Sequence, residues 1–387
     1  MTFEYADRIK RLPPYLFAEI EKVIKEKKAQ GIDLISLSIG DPDLPPPPFV
    51  VEALKQEAAD VKNHNYSFSQ GEPDFRQAVS GWYKKRFNVD LQQDQVVALL
   101  GSKEGIANIA RAFINPGDHV LVPDPAYPVY ANGSTILCDG TAMPLPLLEE
   151  NRFLPDFEAI DARRVKMMFL NYPNNPTAAT VDMKTLKEAV EFAKDNNIML
   201  CYDNAYSEIT YDGYRAPSIL EIDGAMDVAI EFHSLSKTFN MTGDRIGFAV
   251  GNKTLVAGLT KVKSQIDSGP PVYTQKVAVK ALASYTSAEA PLFLKKNNQT
   301  LQERRDLLVD TLCKIGYQCE KPKATFYVWV NCKGDSMKFT AKLLDAGVAV
   351  TPGVGFGKYG EGYARITFTQ PKERIVEACR RIAATFK

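Results

Sequence analysis

Cysteine is scarce in this chain and carries no pattern. The six thiols, Cys138, Cys201, Cys313, Cys319, Cys332 and Cys379, contain no CxxC pair. That spacing excludes a disulfide framework and a zinc ribbon, and the thiols read as those of a reducing cytoplasm, the expected location. Histidine is scarcer still: His64, His119 and His233 stand far apart, so no metal site is expected. No excess charge of either sign exists, with 47 basic residues against 47 acidic ones. The balance removes the electrostatic reason to expect nucleic acid or an anionic membrane as a partner. No apolar run approaches the roughly 20 residues needed to cross a bilayer. The opening MTFEYADRIKRLPP is charged and proline-broken, without the apolar centre of a signal peptide. Neither an internal repeat nor a low-complexity linker interrupts the chain.

What is present is enough hydrophobic material for one large core or two smaller ones: 387 residues, 45% of them hydrophobic. Short β-rich runs alternate with helical patterns. The runs are VVALL at 96–100, HVLV at 119–122, KMMFL at 166–170, IMLCY at 198–202, DVAIEFH at 227–233 and RIGFAVG at 245–251. Between them lie stretches such as MKTLKEAVEFAKDN at 183–196, with apolar residues at helical spacing. The alternation predicts an α/β domain with a mostly parallel sheet flanked by helices. A long charged helix at about 289–315, the runs TFYVWVNC at 325–332 and YARITFT at 363–369, and a final helix predict a smaller α+β domain. IDLISLSIG at 32–40 reads as a strand that ends in the proline-rich crossing DPDLPPPP and packs on that tail. The expected division is therefore 49–280 for the large domain, with 1–48 and 281–387 forming the small one.

Two motif matches fail on context. Gly355-Phe356-Gly357-Lys358-Tyr359-Gly360 fits GxGxxG, but a dinucleotide site needs a strand before the glycines and a helix opening on them. Here the glycines lead into the strand-like YARITFT, so a tightly turned loop is expected. Ser234-Leu235-Ser236-Lys237 fits the SxxK of serine acylases. The triplet that resembles a partner motif, Tyr202-Asp203-Asn204, lies before it instead of after, and no KTG occurs.

A more coherent pattern runs along the large domain. Gly101-Ser102-Lys103-Glu104-Gly105 follows a strand and opens a helix, where free N–H groups can hold an anion. Asn171-Tyr172-Pro173-Asn174-Asn175-Pro176-Thr177 follows KMMFL directly. Asp203 ends IMLCY with Tyr206 three residues on, and Lys237 follows DVAIEFH, with Arg245 just beyond. Each feature alone is an ordinary turn or cap. Together, four successive strand ends offer an anion turn, an amide, an acid and a lysine, where open α/β sheets bind ligands.

In NYPNNPT, YDNAY and SLSKTFNMTGDRIG the chain resembles the class I aminotransferases of pyridoxal-5′-phosphate (PLP) fold type I, over nearly its whole length. PPYLFAEI, DPAYPVY, TPGVGFG and EGYARITFT make it most similar to the LL-diaminopimelate aminotransferase group. The resemblance implies a ping-pong transfer of an amino group to a 2-oxo acid, 2-oxoglutarate, with PLP as cofactor and LL-diaminopimelate as donor, serving lysine biosynthesis. An alanine- or aspartate-type transaminase is the alternative, and a PLP-binding regulator on the same fold a more distant one, since the chain has no DNA-binding extension. By resemblance Lys237 carries the cofactor as a Schiff base and moves the proton. Asp203 holds the ring nitrogen protonated. Asn175 and Tyr206 bond its phenolic oxygen, and Tyr127 stacks on its face. Ser102, Lys103, Ser234, Ser236 and Arg245 hold the phosphate, joined by Tyr66 from a neighbouring subunit of a homodimer. Arg365 and the backbone at Gly40 take the substrate α-carboxylate, and Tyr15 and Lys103 face its far end. Two positions depart from the diaminopimelate pattern: Ser69 stands where a glutamate is expected and Ser268 where an asparagine is.

Overall fold

The computed structural model describes residues 3–386. Twelve strands are found among them: β1 Ile35–Ser36, β2 Val96–Leu99, β3 His119–Asp124, β4 Thr141–Pro146, β5 Val165–Asn171, β6 Met199–Asp203, β7 Ala229–Ser234, β8 Gly247–Gly251, β9 Tyr327–Asn331, β10 Val348–Ala349, β11 Thr351–Pro352 and β12 Tyr363–Thr367. Seven of them form one sheet in the order β2-β8-β7-β6-β5-β3-β4. Five neighbours run parallel, from β4 to β7, while β8 lies antiparallel to both β7 and β2. Strands buried on both faces read as unbroken apolar runs, which is why VVAL and KMMFL carry no polar alternation.

Alternate residues of these strands feed two cores. Met167, Phe169, Ile230 and Phe232 face one side, packed against Ile106 and Ile109 of the helix Ser102–Phe113 and Leu255 and Leu259 of the helix Lys253–Lys263. Met168, Leu170, Leu200 and Tyr202 face the other, packed against Leu186, Ala189 and Val190 of the helix Met183–Asp195. That helix starts where Asp182 Oδ1 accepts the Thr185 N–H at 2.9 Å. The result is the expected α/β architecture, with helices on both faces of a mostly parallel sheet.

The tail forms an antiparallel sheet β11-β12-β9, covered by the helices Leu292–Lys314 and Lys372–Thr385. β1 pairs with β10 in parallel, Ile35 opposite Val348, so the amino-terminal stretch does join the tail. Only Ile35 and Ser36 of the expected run 32–40 have strand form, because the chain turns away toward the proline-rich crossing. TAMPLP, unremarkable as sequence, is β4. Its prolines at 144 and 146 are tolerated because β4 is an edge strand bonded on one side only.

The register sets the site. Asn171 and Asp203 are direct partners at the carboxyl ends of β5 and β6, and β7 ends beside them at Ser234. Asn171 and Asp203 therefore sit side by side, and β7 carries the chain two residues further along the same carboxyl end of the sheet, since Phe232 is the partner of Asp203.

Candidate active site

A cavity of about 320 Å³ opens at that edge. It gathers Tyr15, Gly40, Ser102, Lys103, Tyr127, Asn175, Asp203, Tyr206, Ser234, Ser236, Lys237, Arg245 and Arg365, thus all the expected site residues but one. The exception is Tyr66, which lies outside the cavity with 94% of its surface exposed. Ser69 and Ser268 also lie outside it.

The anion end is built from backbone. Gly101 has φ 78°, a left-handed turn that suits glycine, and ends directly on the helix Ser102–Phe113. A Cβ at Gly101 would stand 2.7 Å from Arg245 Nη2, so the absent side chain lets the guanidinium close over the turn. Arg245 is braced there by donating to the Leu100 carbonyl at 3.0 Å and the Thr242 carbonyl at 2.9 Å. The Ser234 hydroxyl accepts the Ser236 N–H at 3.2 Å, which orders the turn leading to Lys237.

At the opposite end Asp203 is buried. Burial pushes its carboxyl up to about 6, against the Tyr130 hydroxyl, which donates to Oδ2 at 2.7 Å, and the Ala205 N–H, which donates to Oδ1 at 3.3 Å. A carboxyl with a raised folded pKa binds its proton more tightly folded than unfolded. Stability is therefore lost as pH rises from about 4 through 6 and beyond. The rise from 3.8 to about 6 corresponds to about 3 kcal/mol. With the protein free of bound ligand, denaturant unfolding at pH 4.5 and 7.5 should show wild type losing about 2 kcal/mol more than Asp203→Asn across that interval, the remainder of the effect lying below pH 4.5. Equal losses would place the Asp203 carboxyl in its ordinary range.

Between the two ends stands Lys237. Burial, reinforced by the cations of Arg245 and Arg365 and opposed by Asp41, pulls its ammonium down to about 8. Its Nζ donates to the Gly40 carbonyl at 2.9 Å. Such an amine has a substantial neutral fraction near pH 8 and can act as nucleophile and base.

Arg365 rises from β12 and is almost wholly buried. Nη1 donates to Asn175 Oδ1 at 2.7 Å and Nη2 to the Ser38 carbonyl at 2.6 Å. Its guanidinium lies 4.4 Å from the Tyr327 ring centre and 4.7 Å from that of Phe356. Burial shifts its balance away from charge, against the neighbouring tyrosine hydroxyls. A planar cation held this way matches a carboxylate. Lys103 Nζ meets the Tyr15 hydroxyl at 3.3 Å, so its side chain serves the outer end of the cavity, while its backbone N–H belongs to the anion turn.

Sequence reasoning missed several groups here. Tyr130 anchors Asp203. Tyr327 shares a 2.8 Å hydrogen bond with Tyr206. Asn171, quoted only as part of its segment, donates to the Asp203 carbonyl at 2.8 Å and accepts the Asn175 N–H at 2.8 Å. Glu21 adds a carboxylate to the cavity lining.

Comparison with known proteins agrees with this geometry. The sequence model of the family described as aminotransferase class I and II matches residues 32–382. An LL-diaminopimelate aminotransferase of Desulforudis audaxviator is 51% identical, the match covering 99% of this chain and 98% of that protein. Substrate-bound BacF from Bacillus subtilis superposes with a TM-score of 0.92 at 36% identity, covering 99% of this chain and 98% of the other. An aspartate aminotransferase from Thermus thermophilus with maleate superposes with a TM-score of 0.92 at 27% identity, covering 99% and 100%.

Proposed function

The chain belongs to the class I and II aminotransferases, and from that premise we propose that it uses PLP to move an amino group from LL-diaminopimelate to 2-oxoglutarate. One observation carries the chemistry: a buried amine of lowered basicity, a buried acid and a braced guanidinium share one small cavity. The donor is supported by the 51% identity to an LL-diaminopimelate aminotransferase and by the outer end of the cavity.

The residues fit the cofactor. The glycine turn at Gly101 under Arg245 makes a cationic, N–H-rich cradle suited to a phosphate. Asp203 offers a carboxylate to a protonated ring nitrogen. Ser102, Lys103 through its backbone, Ser234, Ser236 and Arg245 would hold the phosphate, Asn175 and Tyr206 the phenolic oxygen, and Tyr127 the ring face. When bound, PLP supplies an aldehyde that couples to amines and a ring that withdraws electrons.

The chain's own residues do the rest. Lys237 would tether the cofactor through Nζ and would hold the substrate α-proton on the same atom. Arg365 binds the α-carboxylate, with Asn175 and the Ser38 carbonyl preventing its rotation. Tyr130 holds the orientation of the Asp203 carboxylate, which would face the ring nitrogen.

A diamino donor presents a second carboxylate and a second ammonium. Tyr15 and Lys103 suit the carboxylate, and Glu21 suits the ammonium that Ser69 and Ser268 leave without a charged partner. With 2-oxoglutarate as acceptor, kcat/KM for LL-diaminopimelate should exceed that for aspartate, alanine and glutamate by more than about tenfold, or about 1.4 kcal/mol in transition-state binding. Glu21→Gln should lower the value for diaminopimelate alone. A tenfold preference for aspartate or alanine would instead make the enzyme a transaminase of that type.

Two copies of the chain are proposed to share their sites. Tyr66, Phe68 and Ile266 are each exposed. The loop that follows Ile266 touches the one that carries Tyr66 and Phe68, since a Cβ on Gly269 would lie 2.8 Å from the Phe68 carbonyl, and Gln275 on the helix Val272–Ala283 donates to the Ser67 hydroxyl at 2.8 Å. A second copy seated on this surface would receive Tyr66 at its phosphate end.

A further inference from the structure

The glycine-rich segment 353–360 matched a nucleotide motif without being one, and the reaction has not used it. Its conformation is set from far away in sequence. The Asp124 carboxylate, at the end of β3, accepts the Lys358 N–H on Oδ2 at 3.0 Å and the Tyr359 N–H on Oδ1 at 3.0 Å. Gly357 has φ 136°, and a Cβ there would run into the Asp124 carboxylate. Two residues past Asp124, the Ala126 N–H donates to the Phe356 carbonyl at 2.8 Å. The loop is thus clamped by three bonds to 124–126, with Phe356 at their centre. That ring is one of the two aromatic faces enclosing the Arg365 guanidinium, at 4.7 Å. The same strand end continues into Tyr127, on the cavity wall.

We propose that Asp124 is a positioning residue for carboxylate recognition: it fixes loop 353–360, and through Phe356 it fixes the plane of Arg365. The inference rests on the reading of Arg365 as the carboxylate-binding group. Asp124 touches neither substrate nor cofactor, so its loss weakens binding of ground state and transition state alike. KM rises while kcat is little changed. A carboxylate suits the clamp because both loop groups donate. Asparagine keeps one acceptor and turns a donor toward the other N–H, so it restores part of the clamp and alanine none.

The holoenzyme and its Asp124→Ala, Asp124→Asn and Arg365→Leu variants are compared in two ways. Binding of maleate, a dicarboxylate with no amine to transfer, is measured by calorimetry, and kcat and KM are measured with 2-oxoglutarate. Asp124→Ala should weaken maleate binding and raise KM by about tenfold, with kcat within about threefold and the cofactor absorbance unchanged. Asp124→Asn should fall between it and wild type. Maleate affinity unchanged in the Asp124 variants, while Arg365→Leu loses it, overturns this inference alone. Unchanged affinity in Arg365→Leu overturns the underlying reading as well. Should the alanine variant fail to fold, the asparagine variant decides on the same affinities: weakened binding with kcat retained supports the role. A fall in kcat or cofactor content with affinity intact refutes it.

Discussion

Lys237→Ala should lower turnover by at least about 10⁴-fold, because it removes both the tether and the positioned base in one change. The variant should still hold PLP, noncovalently. None of the groups assigned to the phosphate depends on Lys237: the Gly101 turn is braced by Arg245, which bonds Leu100 and Thr242. The site also has nothing to replace the amine. Lys103, the other lysine lining the cavity, points its Nζ toward Tyr15 at 3.3 Å and lies near the rings of Tyr15 and Tyr127. Borohydride treatment of the wild-type holoenzyme followed by peptide mapping should therefore label Lys237 alone. Label on Lys103 would falsify the assignment. Retained turnover in the alanine variant would do the same. The neutral fraction of Lys237, with its pKa near 8, also predicts that cofactor reattachment to the unliganded protein accelerates as pH rises from 7 through 8 and then levels off.

The second large effect is a restoration. Tyr66→Glu should inactivate the enzyme by placing negative charge beside a phosphate in the neighbouring copy. Because Tyr66 is 94% exposed in the single chain, the substitution should leave the fold of its own subunit intact. In a two-fold dimer carrying one Tyr66→Glu and one Lys237→Ala subunit, one site collects both lesions and the other collects neither. Random exchange makes about half of the dimers mixed, so about a quarter of all sites regain wild-type composition. Co-refolding two inactive proteins should then recover about a quarter of wild-type activity, against almost none for either alone. Mixed dimers confirmed by differential tagging but still inactive would leave Tyr66 without a role in the neighbouring site.

The parts of this site that were legible in the sequence are those tied to strand ends. Asn175, Asp203 and Lys237 each lie at or just past an apolar run too short and too continuous to be a surface helix, and parallel pairing gathered those strand ends on one side of the sheet. Gly101 was legible because a glycine between a strand and a helix predicts an anion turn. Tyr130 and Tyr327 were not. The chain has 17 tyrosines, and only packing decides which hydroxyl meets Asp203 or Tyr206. The clamp at Asp124 was invisible for a related reason. The loop was read as a tight turn leading into a strand, and two short 3-10 turns do lead into β12, yet the partner that fixes it lies more than 200 residues earlier, and no local pattern links the two. Glu21 was missed because it sits on a charged helix, LFAEIEKVIKEKKA, where one acid among several is not distinguishable. Local propensity also misjudged two strands, β1 and β4, where the extent of pairing depends on the neighbour available and not on the residues themselves.

The pairing of β1 with β10 imposes an order on biosynthesis. Ile35 and Leu37 emerge early from the ribosome, yet Ile35 sits opposite Val348, and the Leu37 N–H bonds the Ala349 carbonyl at 2.8 Å. At 5–20 residues per second, roughly 15–60 s separate the synthesis of those partners. During that interval the strands β2 to β8 can assemble, since all of their residues fall between 96 and 251. Two apolar side chains that end almost fully buried meanwhile lack these strand partners. The cavity wall is likewise completed late: Gly40 comes from the early segment and Arg365 from the final stretch, so a chain that ends before 348 lacks the guanidinium assigned to the carboxylate.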